Sequence, residues 1–222
     1  MTSSAPAPDD VIPFSRLLRE RSAASHRGSE GATFMSDLLK GDARRDDYVS
    51  LVAQHWAIYD ALEGAEPAMR REPLVAPFLS PALSRLPALE ADLAFLVGPD
   101  WRDRVALVPA TVDYAARIRE VAAEWPAGYI AHHYTRYLGD LSGGLHIGRI
   151  IARQFGFETN GIGFYLFDHI ADPAAFKDAY RAQLDAAAWA PGEQHRVVDE
   201  VLVAYEFNTR IFEQLGERRI AA

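Results

Sequence analysis

The chain has 222 residues, enough for one domain with a real core, and 49% of them are apolar. Its net charge of −8, from 31 acidic and 23 basic residues, argues against nucleic acid as the main partner. It has no cysteine, which excludes disulfides, thiolate metal ligands and a cysteine nucleophile. Residues 1–12 show no basic segment followed by an apolar one, and read as a disordered tail before a single helical domain over 13–222. No apolar run approaches the ~20 residues that span a bilayer, so the expectation is a cytoplasmic protein with no membrane span.

The first helix is expected over 13–28, with Pro13 in its first turn and Phe14, Leu17 and Leu18 as its apolar stripe. A second face carries Arg19, Ser22, Ala23 and His26. Small side chains leave room beside the imidazole, and a cation stands two turns, about 10 Å, away. That face fits a flat, anionic macrocycle, although a lone helical His is more often exposed or hydrogen-bonded. The next long helix is expected over 44–63, stopping near Gly64, with Tyr48, Leu51, Val52, His55, Tyr59 and Leu62 on one apolar face. Tyr59 reads as a core residue whose hydroxyl finds a partner, and His55 as structural. Between 66 and 109 lie seven of the chain's thirteen prolines, which forbid long helices; no chemistry is visible there. A helix over 110–124 stops before Pro126.

The helical pattern that follows, to Phe155, contains Gly139, Gly143, Gly144 and Gly148. Each glycine in a helix interior costs about 1 kcal/mol relative to Ala, so the helix bends here or lets something approach its backbone. Tight helix–helix packing is the plain explanation. Asp140, set among the glycines one turn after Arg136, points instead to one wall of a site for a flat ligand. His132 and His133 are adjacent and cannot form an i,i+4 metal pair; with His146 they read as core or surface residues. The aromatic run 164–167 is either core or a connection that packs on a ligand. Asp172 caps and Pro173 starts a helix over 173–189 that carries Lys177 and Arg181. Arg181 has Asp178 and Asp185 within reach, whereas Lys177 has no carboxylate one turn away, and an anionic ligand touching both accounts for the pair. The last helix is expected over 191–215, with Gly216 as its stop. The sum is an all-α fold of seven to nine helices.

The stretch 134–144, Tyr-Thr-Arg-Tyr-Leu-Gly-Asp-Leu-Ser-Gly-Gly, closely resembles the distal-helix signature of the heme oxygenases, without a gap. The resemblance extends from Phe14 to Leu215 and is strongest at 26–41, 52–63, 134–144 and 164–181. It implies the heme oxygenase-like fold, with heme sandwiched between a proximal helix and a kinked distal one. It implies His26 as the axial iron ligand, with Glu30 fixing its tautomer. Arg19 stands where the family usually places Lys, and with Tyr134, Lys177 and Arg181 it would hold the heme propionates. Gly139, Gly143 and Gly144 would crowd the ring's far side, and Phe207 matches a position near the heme. Asp140 would hold a proton-delivering water, ordered by Arg136 and Tyr59. The implied reaction opens heme b, both substrate and cofactor, to the α isomer of biliverdin, carbon monoxide and ferrous iron. It consumes dioxygen and electrons from an external reductase or ferredoxin.

Rival functions differ in what they require. A heme-binding or heme-trafficking protein without turnover shares His26 and the basic rim but has no need for Asp140. A carboxylate-bridged di-iron bundle needs Glu-x-x-His pairs on facing helices, which the sequence lacks. A thiaminase-like enzyme that relies on a cysteine nucleophile is excluded by composition.

Overall fold

The computed structural model describes residues 12–30 and 32–221; the tail expected over 1–12 lies outside them, Ile12 apart. Among the described residues every regular element is helical, with ten α-helices and no strand. The first, α1 (Phe14–Glu30), begins where the Pro13 carbonyl accepts the N–H groups of Arg16 and Leu17, both at 3.0 Å. It does not end at Gly28 as expected. Gly28 is exposed and a side-chain carbon built on it meets nothing within 4 Å, so the helix carries only the glycine's ~1 kcal/mol cost and continues. The short α2 (Thr33–Lys40) closes on Gly41, whose φ of 85° is the left-handed conformation glycine supplies.

The next helix, α3 (Arg45–Met69), outruns the expected stop at Gly64 and includes Pro67. Pro67 removes one backbone donor near the helix end, where little remains to be lost. The last turn is held by Arg70 N–H to the Glu66 carbonyl at 2.8 Å and by the Arg71 guanidinium to the Pro67 carbonyl at 3.0 Å. The proline-rich stretch gives two 3₁₀ turns, then α4 (Leu86–Val97) and α5 (Trp101–Arg104). α6 (Pro109–Glu124) packs on α3. Leu18, Leu38, Leu51 and Ile58 are essentially fully buried, each stabilising by about 1.5–3 kcal/mol.

From Pro126 the chain forms α7 (Pro126–His133), two consecutive π-helical turns at Tyr134–Leu138 and Asp140–Gly144, and α8 (Leu145–Phe155). Two hydroxyls bond back to the ladder here. Thr135 Oγ1 donates to the Ala131 carbonyl at 2.8 Å and Ser142 Oγ to that of Leu138 at 2.6 Å, a back-bonding that bends helices. The 3₁₀ turn Gly163–Tyr165 packs on α8. Buried Asp92 pins it by accepting from the N–H groups of Gly161, Gly163 and Phe164 at 2.9, 3.0 and 2.8 Å.

α9 (Pro173–Ala186) is capped by Asp172, which accepts from the Ala174 and Ala175 N–H groups at 3.0 Å. It ends before the expected 189 because Ala187 turns extended and the Trp189 indole N–H goes back to the Leu184 carbonyl at 2.9 Å. α10 (Glu193–Ala221) packs on α1, α6 and α7. Gly216 does not stop it. Its φ is not left-handed, and its bare side faces Phe34 of α2, 4.0 Å from a carbon built there. No helix among the described residues is long and apolar enough to cross a membrane.

Candidate active site

A cleft separates α1 from the π-helical segment, in two lobes that share His26, Thr135, Gly139, Ser142 and Tyr205. The outer lobe, about 300 Å³, is lined by Arg19, Ser22 and Ala23 of α1, Tyr134 and Leu138 opposite, and Arg181 of α9. The inner lobe, about 290 Å³, is lined by Arg136, Asp140, Gly143, His55, Tyr165 and Asn208, among others. Joined, they fall in the ~300–1,000 Å³ range of small-molecule sites. On the α1 wall, the His26 ring sits edge-on to Tyr205, with centroids 5.7 Å apart.

The glycines of the other wall divide into two sets. A side-chain carbon built on Gly139 or Gly143 meets nothing within 4 Å, and both residues line the cleft. One built on Gly144 or Gly148 lies 3.4 or 2.8 Å from Tyr165. Open glycines and glycines packed on Tyr165 thus follow one another along one segment.

Behind the open glycines lies a buried polar network. The Tyr59 hydroxyl, wholly buried, donates to Asp140 Oδ2. Arg136 Nη1 donates to Asn208 Oδ1 at 3.1 Å, and its guanidinium lies 5.4 Å from the Tyr59 ring centroid. Burial raises the pKa of Asp140, an effect that Arg136 and the Tyr59 hydrogen bond partly offset. Burial opposes the charge on Arg136, but Asp140, Tyr59 and Tyr114 outweigh it and hold the guanidinium above its ordinary value. Burial, then the Asp140 charge, pushes the Tyr59 phenol well up. The set is a fixed cation, a neutral phenol that donates, and a carboxyl with raised proton affinity. Such a group can take up a proton and return it.

The cations at the mouth are less tightly held. Lys177 Nζ donates to Ser142 Oγ at 3.2 Å, and Arg181 pairs with Asp178 at 2.8 Å. Asp185 is turned away, accepting from the Ser15 N–H and hydroxyl at 2.7 and 2.9 Å. An exposed pair such as Arg181–Asp178 is worth about 0–1 kcal/mol, so an anionic ligand competes for Arg181 at little cost.

Two of the expected site residues stand elsewhere. Gly144 faces Tyr165 rather than the cleft. Phe207 does not line it either: its ring stacks on Tyr114, centroids 5.0 Å apart and planes within 8°, while Tyr205 and Phe212 are the aromatic residues that α10 presents to the inner lobe. The side chain of Glu30 lies outside the described residues. His132 and His133 are core residues, paired with Glu200 at 3.0 Å and the Tyr180 hydroxyl at 2.9 Å. Asn208 was not singled out by the sequence; its one signal was a polar side chain at helical spacing from Val201, Ala204, Tyr205 and Phe212.

The heme oxygenase family model matches residues 12–214. Heme oxygenase 1 of Rattus norvegicus is 36% identical over 205 residues, covering 91% of this chain and 71% of the relative. Heme oxygenase 1 of Nostoc sp. is 36% identical over 206 residues, 92% of this chain and 87% of the relative. The crystal structure of heme oxygenase-1 from Synechocystis sp. in complex with heme superposes with a TM-score of 0.90, at 34% identity, over 95% of each chain.

Proposed function

Because the chain belongs to the heme oxygenase family and is an enzyme that degrades heme to biliverdin, carbon monoxide and iron, we propose how its residues divide that work. Heme is the substrate of the cleft and, once bound, supplies the iron at which dioxygen is activated with electrons from an external reductase or ferredoxin. His26 would hold its iron. The cleft's chemistry supports this: an imidazole on one wall faces glycines with nothing within 4 Å of an added side-chain carbon. That is a slot for a flat ring. Arg19, Tyr134 and Arg181 at its mouth suit the ring's carboxylates, and Lys177 reaches them by leaving Ser142.

Asp140 holds and passes the proton. The observation that carries this role is the Tyr59 hydroxyl donating to a half-buried Asp140 beside Gly139 and Gly143. Tyr59 fixes the carboxyl's orientation, and burial raises its proton affinity. Arg136 keeps a positive charge next to it without leaving Asn208. Asp140 would deliver its proton through one ordered water, which is within reach of general-acid catalysis. A carrier without turnover has no use for this network. The four basic and phenolic groups at the mouth would pin one orientation of the ring, since charge-assisted hydrogen bonds are the strong ones, and their likeness to the family's usual set makes the α isomer of biliverdin the expected product. The protein works in the cytoplasm, as one helical domain over 13–222.

Purified protein given hemin, reductant and oxygen tests this reading. The heme absorbance should decay as biliverdin appears, and chromatography should find mainly the α isomer. A stable heme complex with no pigment formed would instead identify a carrier.

A further inference from the structure

Two buried polar atoms of the inner lobe have no hydrogen-bond partner among the described residues: Arg136 Nε and His55 Nδ1. Their residues are 6% and 8% exposed, and both line that lobe. The Arg136 atom is a donor only, whereas a neutral imidazole has one nitrogen that accepts. Burial, then the Arg136 charge, pushes His55 well below its ordinary pKa, so the ring is neutral. Leaving a buried donor or acceptor unmade costs about 1–3 kcal/mol each. One water between the two satisfies both, and an internal water typically has two to four such partners. Packing alone does not call for a histidine: its ring lies 4.9 Å from that of Phe164, on a helix face shared with Tyr48, Leu51, Val52, Tyr59 and Leu62, where an apolar side chain would fill the same space.

We infer that His55 is a positioning residue of the inner lobe, sharing one internal water with Arg136 Nε and so closing the Asp140 network on the side that Tyr59 and Asn208 do not reach. Tyr59 already occupies Asp140 Oδ2 and Asn208 already takes Arg136 Nη1. The shared water fixes the Arg136 fork in its plane, and through it the field felt at Asp140. This inference rests on the proton-holding role proposed for Asp140.

The test compares wild type with His55→Leu, which keeps apolar bulk and removes the acceptor, and His55→Gln, which restores a polar group. High-resolution crystals of the hemin-free proteins should show a water within hydrogen-bond distance of Arg136 Nε and His55 Nδ1, lost in His55→Leu. With hemin, His55→Leu should bind as wild type but form biliverdin about tenfold more slowly, below the ~10²–10⁴-fold of a direct proton donor. Its rate should also show a larger solvent deuterium effect. His55→Gln should recover most of the rate. Absence of that water from the wild-type crystal would overturn the inference, even if His55→Leu failed to fold. So would a His55→Leu enzyme with wild-type rate and deuterium effect while Asp140→Ala has lost its biliverdin. If Asp140→Ala also kept its yield, the Asp140 role itself would be wrong and this inference would fall with it.

Discussion

Gly139 and Gly143 sit in the same bent segment as Gly144 and Gly148, yet the two pairs lack side chains for different reasons. The first pair faces an open cleft, with nothing within 4 Å of an added carbon. The second lies against Tyr165: a carbon added at Gly148 would be 2.8 Å from it, too close, and one added at Gly144 would be 3.4 Å away, in ordinary contact. Gly139 and Gly143 open on the cleft, whereas Gly148 makes room for Tyr165. The contrast teaches that a glycine's helix cost is offset by whatever occupies the space, and that the occupant differs from one turn to the next. Asp92 is part of the second story, because it pins the turn that brings Tyr165 against the helix.

The contrast breaks outright if nothing binds between the open pair and α1. His26→Ala carries the largest expected effect: loss of the imidazole-ligated hemin spectrum and of most turnover, both partly restored by added imidazole. Retention of the native spectrum would make His26 a plain surface residue. Next comes Asp140→Ala, which should bind hemin like wild type but lose biliverdin formation by roughly 10²–10⁴-fold; turnover with separate hemin titration checks it, and unchanged yield removes the proton role.

Charge reversal of the mouth, Lys177→Glu with Arg181→Glu, should turn a dominant α isomer into a mixture. Each charge-assisted bond is worth about 1.5–3 kcal/mol, a tenfold or greater bias in orientation, and isomer chromatography reads it directly. A single isomer in the double variant would leave these residues a solvated face. Gly148→Ala sharpens the other side of the contrast. Forcing a methyl against Tyr165 should cost about 1–3 kcal/mol, lowering the hemin-free Tm by several degrees, with little change in the hemin spectrum of the folded protein.

The sequence conveyed the all-α class, the bend at the glycines and the two walls of the cleft. The spacing of Arg19, Ser22, Ala23 and His26 marks one wall, and Asp140 among the glycines marks the other. Helix ends were less legible. Gly28, Gly64 and Gly216 read as breaks, but a glycine inside a helix costs only about 1 kcal/mol, which tertiary packing of α1, α3 and α10 outweighs. The π-helical turns had no signature: Thr135 and Ser142 back-bond there, but so does Thr209 to the Tyr205 carbonyl in the regular helix α10. Distant partners were also hidden. Arg136 and Asn208 are 72 positions apart, and no periodicity joins α10 to the π-helical segment. Phe207 and Tyr205 show the same limit: two residues apart on one helix, they face Tyr114 and the cleft respectively.

The most direct test of the central claim, that the bare face of the distal helix is kept empty for heme, is one pair of measurements on Gly143→Ala: thermal melting without hemin, and hemin titration. Nothing in the protein obstructs the added methyl, so replacing a helical glycine should stabilise the hemin-free chain by up to about 1 kcal/mol, raising Tm by roughly 2–4 °C. The same methyl should crowd the ligand at a cost of about 1–3 kcal/mol, weakening hemin binding roughly fivefold to a hundredfold. Greater stability with weaker hemin binding is the predicted result. A variant that gains stability and binds hemin as tightly as wild type would contradict the claim.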